Sequence, residues 1–266
     1  MRNSFIFFIL FIHVNIFSQQ ENTLQLPEHS AAGVSSDSMH MISTLMQKYV
    51  DEKKLPGMVT MIAQHGKIIS FMKFGRMDSV KPMQLNSFFR IASMTKPITS
   101  AAVMILYDEG RLKLDDPVSK YIHEFKDLKV LSAIDKEGIK LEKQIRPMTI
   151  RNLLMHTSGL ALGGMNSPVD SIYSAADLSS GNLKDMIGKL AKIPLLYQPG
   201  TRWNYSRSAD VLAYLVEAVS GKPFNVFIKE KIFDPLQMNE TGYSVPAEKL
   251  NRVTAVYSPA DSGGIA

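Results

Sequence analysis

The 266-residue sequence contains no cysteine. That excludes disulfides, thiolate chemistry, zinc sites built on cysteine and a lipid-modified cysteine as membrane anchor. Its six histidines show no metal-ligand spacing such as His-Glu-x-x-His, so no metal and no cofactor is expected. A Gly-x-Ser-x-Gly elbow is also absent, which argues against an α/β-hydrolase nucleophile turn. The net charge is +5, yet lysine and arginine nowhere cluster densely enough to form a nucleic-acid-binding stripe, and no nucleic-acid partner is expected. No apolar run is long enough for a stable membrane span. The longest begins with an unbroken stretch over 5–12 and continues with interruptions to Phe17, short of the ~20 residues a helical span requires. Arg2 precedes this run and Ser18-Gln19-Gln20 follow it. The pattern predicts a signal peptide over 1–18 and an exported protein, periplasmic or secreted.

Apolar residues make up 45% of the chain and charged residues 21%, an ordinary globular balance in a chain long enough to bury a substantial core. Residues 19–36, with Pro27, Gly33, Ser35 and Ser36, read as a linker, and 37–266 as the domain, with Asp37 as its first N-cap. Met41, Leu45, Met46 and Val50 recur at helical spacing, and Pro56-Gly57 ends that helix. Two strands follow over 58–63 and 67–72, joined by a turn at His65-Gly66 into a hairpin. A short apolar segment, Phe88 to Ala92, leads into Ser93. The residues after it predict a helix with apolar Ala101, Ala102, Met104, Ile105 and Leu106, stopped by Gly110. Short helical pieces are expected over 111–160, including one around Leu153-Leu154-Met155 that ends at Ser158-Gly159. The stretch 161–182 reads as a long loop or lid. Further helices are predicted over 208–220, punctuated by Gly221 and Pro223, and over 223–232. Hairpin plus helices make the class α+β.

Ser-x-x-Lys occurs twice, at Ser70–Lys73 and at Ser93–Lys96. The first pair lies in a predicted strand, where positions three apart point to opposite faces. The second lies at a helix start, where positions three apart are neighbours on one face, and Pro97 suits a first helical turn. There the positive end of the helix dipole favours a serine alkoxide. A neutral Lys96 could take the Ser93 proton during attack, and the Ser93 backbone N–H is a candidate oxyanion donor. Taken alone, the motif fits an N-capping serine and a surface lysine better than a catalytic pair.

Four segments, in order, carry a family resemblance: Phe89 to Lys96, Leu153 to Leu160, Pro199 to Ser206, and Phe233 to Met238 with Thr241-Gly242. Across roughly 37–245 the chain resembles the serine β-lactamases and penicillin-binding proteins, and most of all the class C-like branch with its related esterases. The resemblance implies an antiparallel sheet flanked by helices plus a mostly helical subdomain. It implies Ser93, Lys96 and Tyr205 as the catalytic residues, with Tyr205 relaying a proton, and a structural role for His156 at the turn 157–159. The implied activity is that of a serine hydrolase forming an acyl-enzyme on Ser93, an esterase or a D-amino-acid peptide or amide hydrolase, with a small ester, peptide or amide as substrate. Two alternatives are a catalytically silent relative that binds peptidoglycan or peptides, and a serine hydrolase using His156.

The sequence departs from the family pattern in two places. Tyr205-Ser206-Arg207 stands where Tyr-x-Asn is usual, and an arginine cannot accept a hydrogen bond as asparagine does; this favours esterase-like activity over β-lactam turnover. No Lys-x-Gly or His-x-Gly follows Tyr205. Lys73-Phe74-Gly75 and Lys136-Glu137-Gly138 match the letters but come too early. A C-terminally truncated sequence is therefore expected, lacking sheet strands, the third motif and a second oxyanion donor. Its N-terminal hairpin would carry unpaired edges, and the product alone would be unstable or poorly active.

Overall fold

The computed structural model describes residues 34–136, 138–164 and 169–258. The expected signal peptide at 1–18 and most of the expected linker lie outside them. The described chain forms two compact units, residues 34–89 with 251–258, and residues 90–250.

In the first unit, helix α1 (Ser36–Asp51) is capped by Ser35, whose Oγ accepts from the Ser38 N–H. The N-cap expected at Asp37 is corrected accordingly: Asp37 sits in the first turn, where its charge favours the positive helix end. Strands β1 (Gly57–Gln64) and β2 (Lys67–Gly75) pair antiparallel. His65 and Gly66 both have left-handed φ, 48° and 75°, as a two-residue turn matched to strand twist requires. Ser70 is buried, whereas Lys73 reaches out to the Gln84 side chain at 3.1 Å. The first Ser-x-x-Lys is thus split across the strand, as its period demands. Among the described residues β1 and β2 pair with no third strand. Phe88 bonds to Arg252 and Thr254, tying residues 251–258 into this unit.

The second unit holds the main core. Ala92–Met94 form a single 3-10 turn that runs into helix α2 (Thr95–Asp108), closed by Gly110 at φ 70°. Strands β3 (Lys129–Asp135) and β4 (Gly138–Lys143) pair where short helical pieces were expected. The misreading has a physical cause. β4 is exposed along its whole length, so no apolar face alternates with a polar one. Val130 is the buried residue of β3, and backbone bonds from Leu131 and to Lys129 attach that strand to Leu195.

Helix α3 (Ile150–Leu154) begins with a capping box of Thr149 and Asn152 and ends before His156, not at Ser158-Gly159. Within the expected loop at 161–182 lies helix α4 (Asp170–Ala175). Helix α5 (Leu183–Leu190) follows, with Asn182 and Asp185 as its capping box, a signature visible in the sequence. Helix α6 (Ser208–Ser220) takes its expected bounds and stops at left-handed Gly221. Helix α7 (Phe224–Ile228) passes into a π-helical turn over Lys229–Phe233. The α+β class holds.

Helix α6 organises the core, packing against α2, α3, α5 and α7. Val211, Leu212, Leu215 and Val216 on α6 meet Val103 and Leu106 of α2 and Ile187 and Leu190 of α5, all essentially without solvent contact. Each such side chain contributes about 1.5–3 kcal/mol on burial.

One polar node braces the loop after α2. The Asp116 carboxylate accepts from the Tyr121 hydroxyl at 2.6 Å, the Lys120 ammonium at 3.0 Å and the Lys113 N–H at 3.0 Å. These bonds, that of Tyr121 foremost, lower its pKa from 3.8 to about 2. A depressed carboxylate stabilises the fold above its unfolded pKa and loses that contribution as pH falls through the folded value. Asp116→Asn should therefore cost about 1–2 kcal/mol at neutral pH. Urea denaturation should show the gap between the two proteins closing as pH falls from 3.8 towards 2.

Candidate active site

Ala92 precedes Ser93 with φ at 42°, a left-handed backbone that an alanine adopts at a cost of about 1–2 kcal/mol. This bend falls between Ile91, itself in the right-handed helical region, and Ser93, and it leaves Ser93 exposed at the entrance to α2. Lys96 is the second residue of α2, one turn beyond the serine. Its Nζ lies 3.1 Å from Ser93 Oγ. Tyr205, 112 residues away, donates its hydroxyl to the same oxygen at 2.9 Å. The Lys96 ammonium also stands 4.7 Å from the centre of the Tyr205 ring. All three residues singled out in the sequence meet at one hydroxyl.

Tyr205 lies in the irregular segment ahead of α6, and its position is set by the segment after α3. The Asn204 N–H donates to His156 O at 2.8 Å, the Asn204 side-chain amide to Leu160 O at 2.9 Å, and the Arg207 N–H to Ala161 O at 3.1 Å. Gly200 and Leu196 donate to Thr157 and Gly159 carbonyls, both at 2.7 Å. Gly159 has φ 85°, and a Cβ there would stand 2.1 Å from Tyr197 O, so no other residue fits. The segment after α3 and the tyrosine segment are thus laced together by backbone bonds.

Two rings at the site are shifted from their ordinary titration ranges. The Lys96 ammonium beside it, then the bond to Ser93, hold the Tyr205 phenol below the usual tyrosine range. Burial, then the charge on Lys96, push the His156 imidazole down. The His156 ring faces Ser206 Oγ at 3.3 Å, and among the described residues no hydrogen bond joins it to Ser93. Arg207, standing where the family pattern has asparagine, turns to Leu162 O at 3.4 Å and to the Asp210 carboxylate at 3.7 Å.

A cavity of about 550 Å³ adjoins the site, walled by Ala92, Lys96, Asp210, Glu217, Phe224 and Tyr243 among others. It touches the three residues through Lys96 and includes neither Ser93 nor Tyr205. The three candidate residues are thus brought together by the hydrogen bonds at Ser93 and not by a shared cavity wall. Among the described residues, no group of three or more His, Asp or Glu side chains is placed to hold a metal.

Sequence reasoning missed Tyr173 of α4, which is buried, accepts from the Ala161 N–H at 3.0 Å, and has its pKa pushed up to about 12 by burial. It also missed the buried serines Ser158, Ser206 and Ser208. Nothing in a serine's sequence context separates a buried hydroxyl from a solvated one.

A serine nucleophile candidate, a lysine one turn on and a converging tyrosine, carried on a helical unit, define the β-lactamase-like class of fold. The chain belongs to the Beta-lactamase family, whose profile matches residues 42–266. It is 36% identical over 216 residues to Protein Rv1367c of Mycobacterium tuberculosis, covering 80% of this chain and 53% of that protein. It is 33% identical to Esterase EstB of Burkholderia gladioli, covering 76% of this chain and 50% of that protein. Among solved structures, EstCE1, described as a hydrolase with promiscuous acyltransferase activity, superposes with a TM-score of 0.72 at 28% identity, covering 86% of this chain and 58% of that one. The chain spans about half the length of the curated relatives it matches.

Two outcomes follow from the geometry. Replacing Lys96 by Met removes the cation that lowers the Tyr205 phenol, so the Tyr205 titration, followed by 13C-tyrosine NMR and assigned with Tyr205→Phe, should move to higher pH. Gly159→Ala should displace the 196–200 backbone and destabilise the second unit by about 2 kcal/mol or more, through strain and a backbone clash, measured as a lower denaturation midpoint.

Proposed function

We propose that the chain is a serine hydrolase acting on small esters through an acyl-Ser93 intermediate. The observation that carries this reading is the shared Ser93 Oγ, held at 3.1 Å by Lys96 and at 2.9 Å by Tyr205. As Ser93 Oγ attacks the substrate carbonyl carbon, its proton passes to the Lys96–Tyr205 pair. When the tetrahedral intermediate collapses, the same pair protonates the departing alkoxide. Water then attacks the acyl-serine, losing its proton to the pair, and Ser93 recovers its own. An alcohol in place of water would give acyl transfer. The Ser93 N–H at the start of the helical run is the oxyanion donor in this scheme.

Esters are favoured over amides and β-lactams because Arg207 replaces the usual asparagine and is turned aside. The similarity to proteins named as esterases and hydrolases supports the same choice. Exposed Met94 and Trp203, each close in sequence to a catalytic candidate, suit an apolar acyl or alcohol group. Export, from the reading of residues 1–18, is part of this proposal.

Incubation with a fluorophosphonate probe followed by peptide mass spectrometry should place an adduct on Ser93. Lys96→Met and Tyr205→Phe should each slow labelling roughly 100-fold or more. The rate should rise with pH, because the pair must lose a proton before it can take one from Ser93. The midpoint should lie below the value of about 10 of a free tyrosine. A folded protein whose Ser93 stays unlabelled would overturn the assignment and favour a silent, ligand-binding relative.

A further inference from the structure

The histidine that the family resemblance left as a turn residue has surroundings that a turn does not need. The His156 ring stacks on Tyr205 at 5.1 Å between centroids and 29° between planes, and meets the edge of Trp203 at 6.3 Å. Its backbone has left-handed φ, 54°, and its carbonyl holds the Asn204 N–H. Behind it runs a chain of three buried hydroxyls. His156 Nδ1 is 3.3 Å from Ser206 Oγ, Ser206 Oγ is 2.8 Å from Ser208 Oγ, and Ser208 Oγ is 2.8 Å from Ser158 Oγ. The serines are 1%, 0% and 0% exposed.

The direction of this chain can be deduced. Each hydroxyl has one proton to donate, and buried donors are satisfied. The Leu160 N–H donates to Ser158 Oγ at one end. If Ser158 donates to Ser208, Ser208 to Ser206 and Ser206 to His156 Nδ1, every proton is used. In the reverse direction Nδ1–H donates to Ser206, Ser206 to Ser208 and Ser208 to Ser158. The Ser158 proton is then left without an acceptor in a site closed to water. The forward direction makes Nδ1 an acceptor and puts the ring proton on Nε2.

Building on the catalytic reading above, we infer that His156 is a positioning residue, fixed by the Ser158–Ser208–Ser206 chain as a neutral Nε2–H imidazole and serving as the platform that aims the Tyr205 phenol at Ser93. Protonation of Nδ1 would oppose two donors and break the chain. The charged and titratable groups around the two rings are Lys96 from α2 and Asp210 from α6. Burial and the Lys96 charge both resist such protonation. The device explains why Ser206 directly follows Tyr205 and why Ser158 sits two residues after His156: one hydroxyl network ties the stacked ring to the backbone on either side.

The test uses the full chain labelled with 15N-histidine and 13C-tyrosine, with variants His156→Phe, His156→Ala and Ser206→Ala. In the wild type, the His156 15N pattern should be that of a single Nε2–H tautomer, and in Ser206→Ala it should become a tautomer mixture. The ring-current shift of Tyr205 should survive in His156→Phe and disappear in His156→Ala. Fluorophosphonate labelling should fall about tenfold or more in His156→Ala, with most of the rate restored in His156→Phe, as expected when a reacting group loses its alignment. If His156→Ala does not fold, the phenylalanine and Ser206 variants carry the test. An Nδ1–H tautomer in the wild type, or a Tyr205 spectrum indifferent to loss of the ring, would overturn the inference. Absence of Ser93 labelling in the wild type would overturn the hydrolase reading instead, and the two NMR measurements would still decide the role of His156.

Discussion

The candidate site in this structure depends on one oxygen that receives two hydrogen bonds. Ser93 Oγ is ordinary by composition and exposed by position. Its distinction is that an ammonium and a phenol both point at it from about 3 Å. Neither donor would be there by chance: a lysine side chain loses on the order of 2 kcal/mol of rotamer freedom when fixed, and Tyr205 arrives from the far side of the sequence. The rest of the second unit can be understood as what makes that convergence cheap.

Two supports do this. On the serine side, left-handed Ala92 opens the 3-10 turn that runs into α2, so that Ser93 and Lys96 fall one turn apart. On the tyrosine side, residues 156–161 pin 204–207 by backbone bonds, and Gly159 lets the same stretch approach the backbone at Tyr197 more closely than any side chain would permit. Both supports rest on α6, the helix that packs against most of its neighbours and begins three residues after Tyr205. The tyrosine is therefore carried just ahead of the helix that packs against α2, α3, α5 and α7.

The helices α2 and α6 were legible because their apolar stripes and glycine stops are local signals; Gly110 and Gly221 end them as written. The hairpin at 57–75 was legible for the same reason, with His65-Gly66 supplying the turn. The hairpin at 129–143 was not, since its β4 strand buries nothing and so shows no period. α4 was hidden in a glycine- and serine-rich stretch and owes its place to Tyr173, whose burial is a tertiary event.

For the site, residue order alone determined that Ser93 and Lys96 would be neighbours, because helical geometry acts over three residues, and it separated them from Ser70 and Lys73, because strand geometry does too. Tyr205 was legible through family resemblance and through nothing local. That Tyr205 reaches Ser93, that His156 lies flat against it, and that three serines form one buried chain were decided by tertiary structure. Apart from the Ser206–Ser208 bond, those contacts join residues about 50 or more positions apart, and no short-range rule of spacing acts across such a distance; only the packing of α3, α6 and the segments between them closes it.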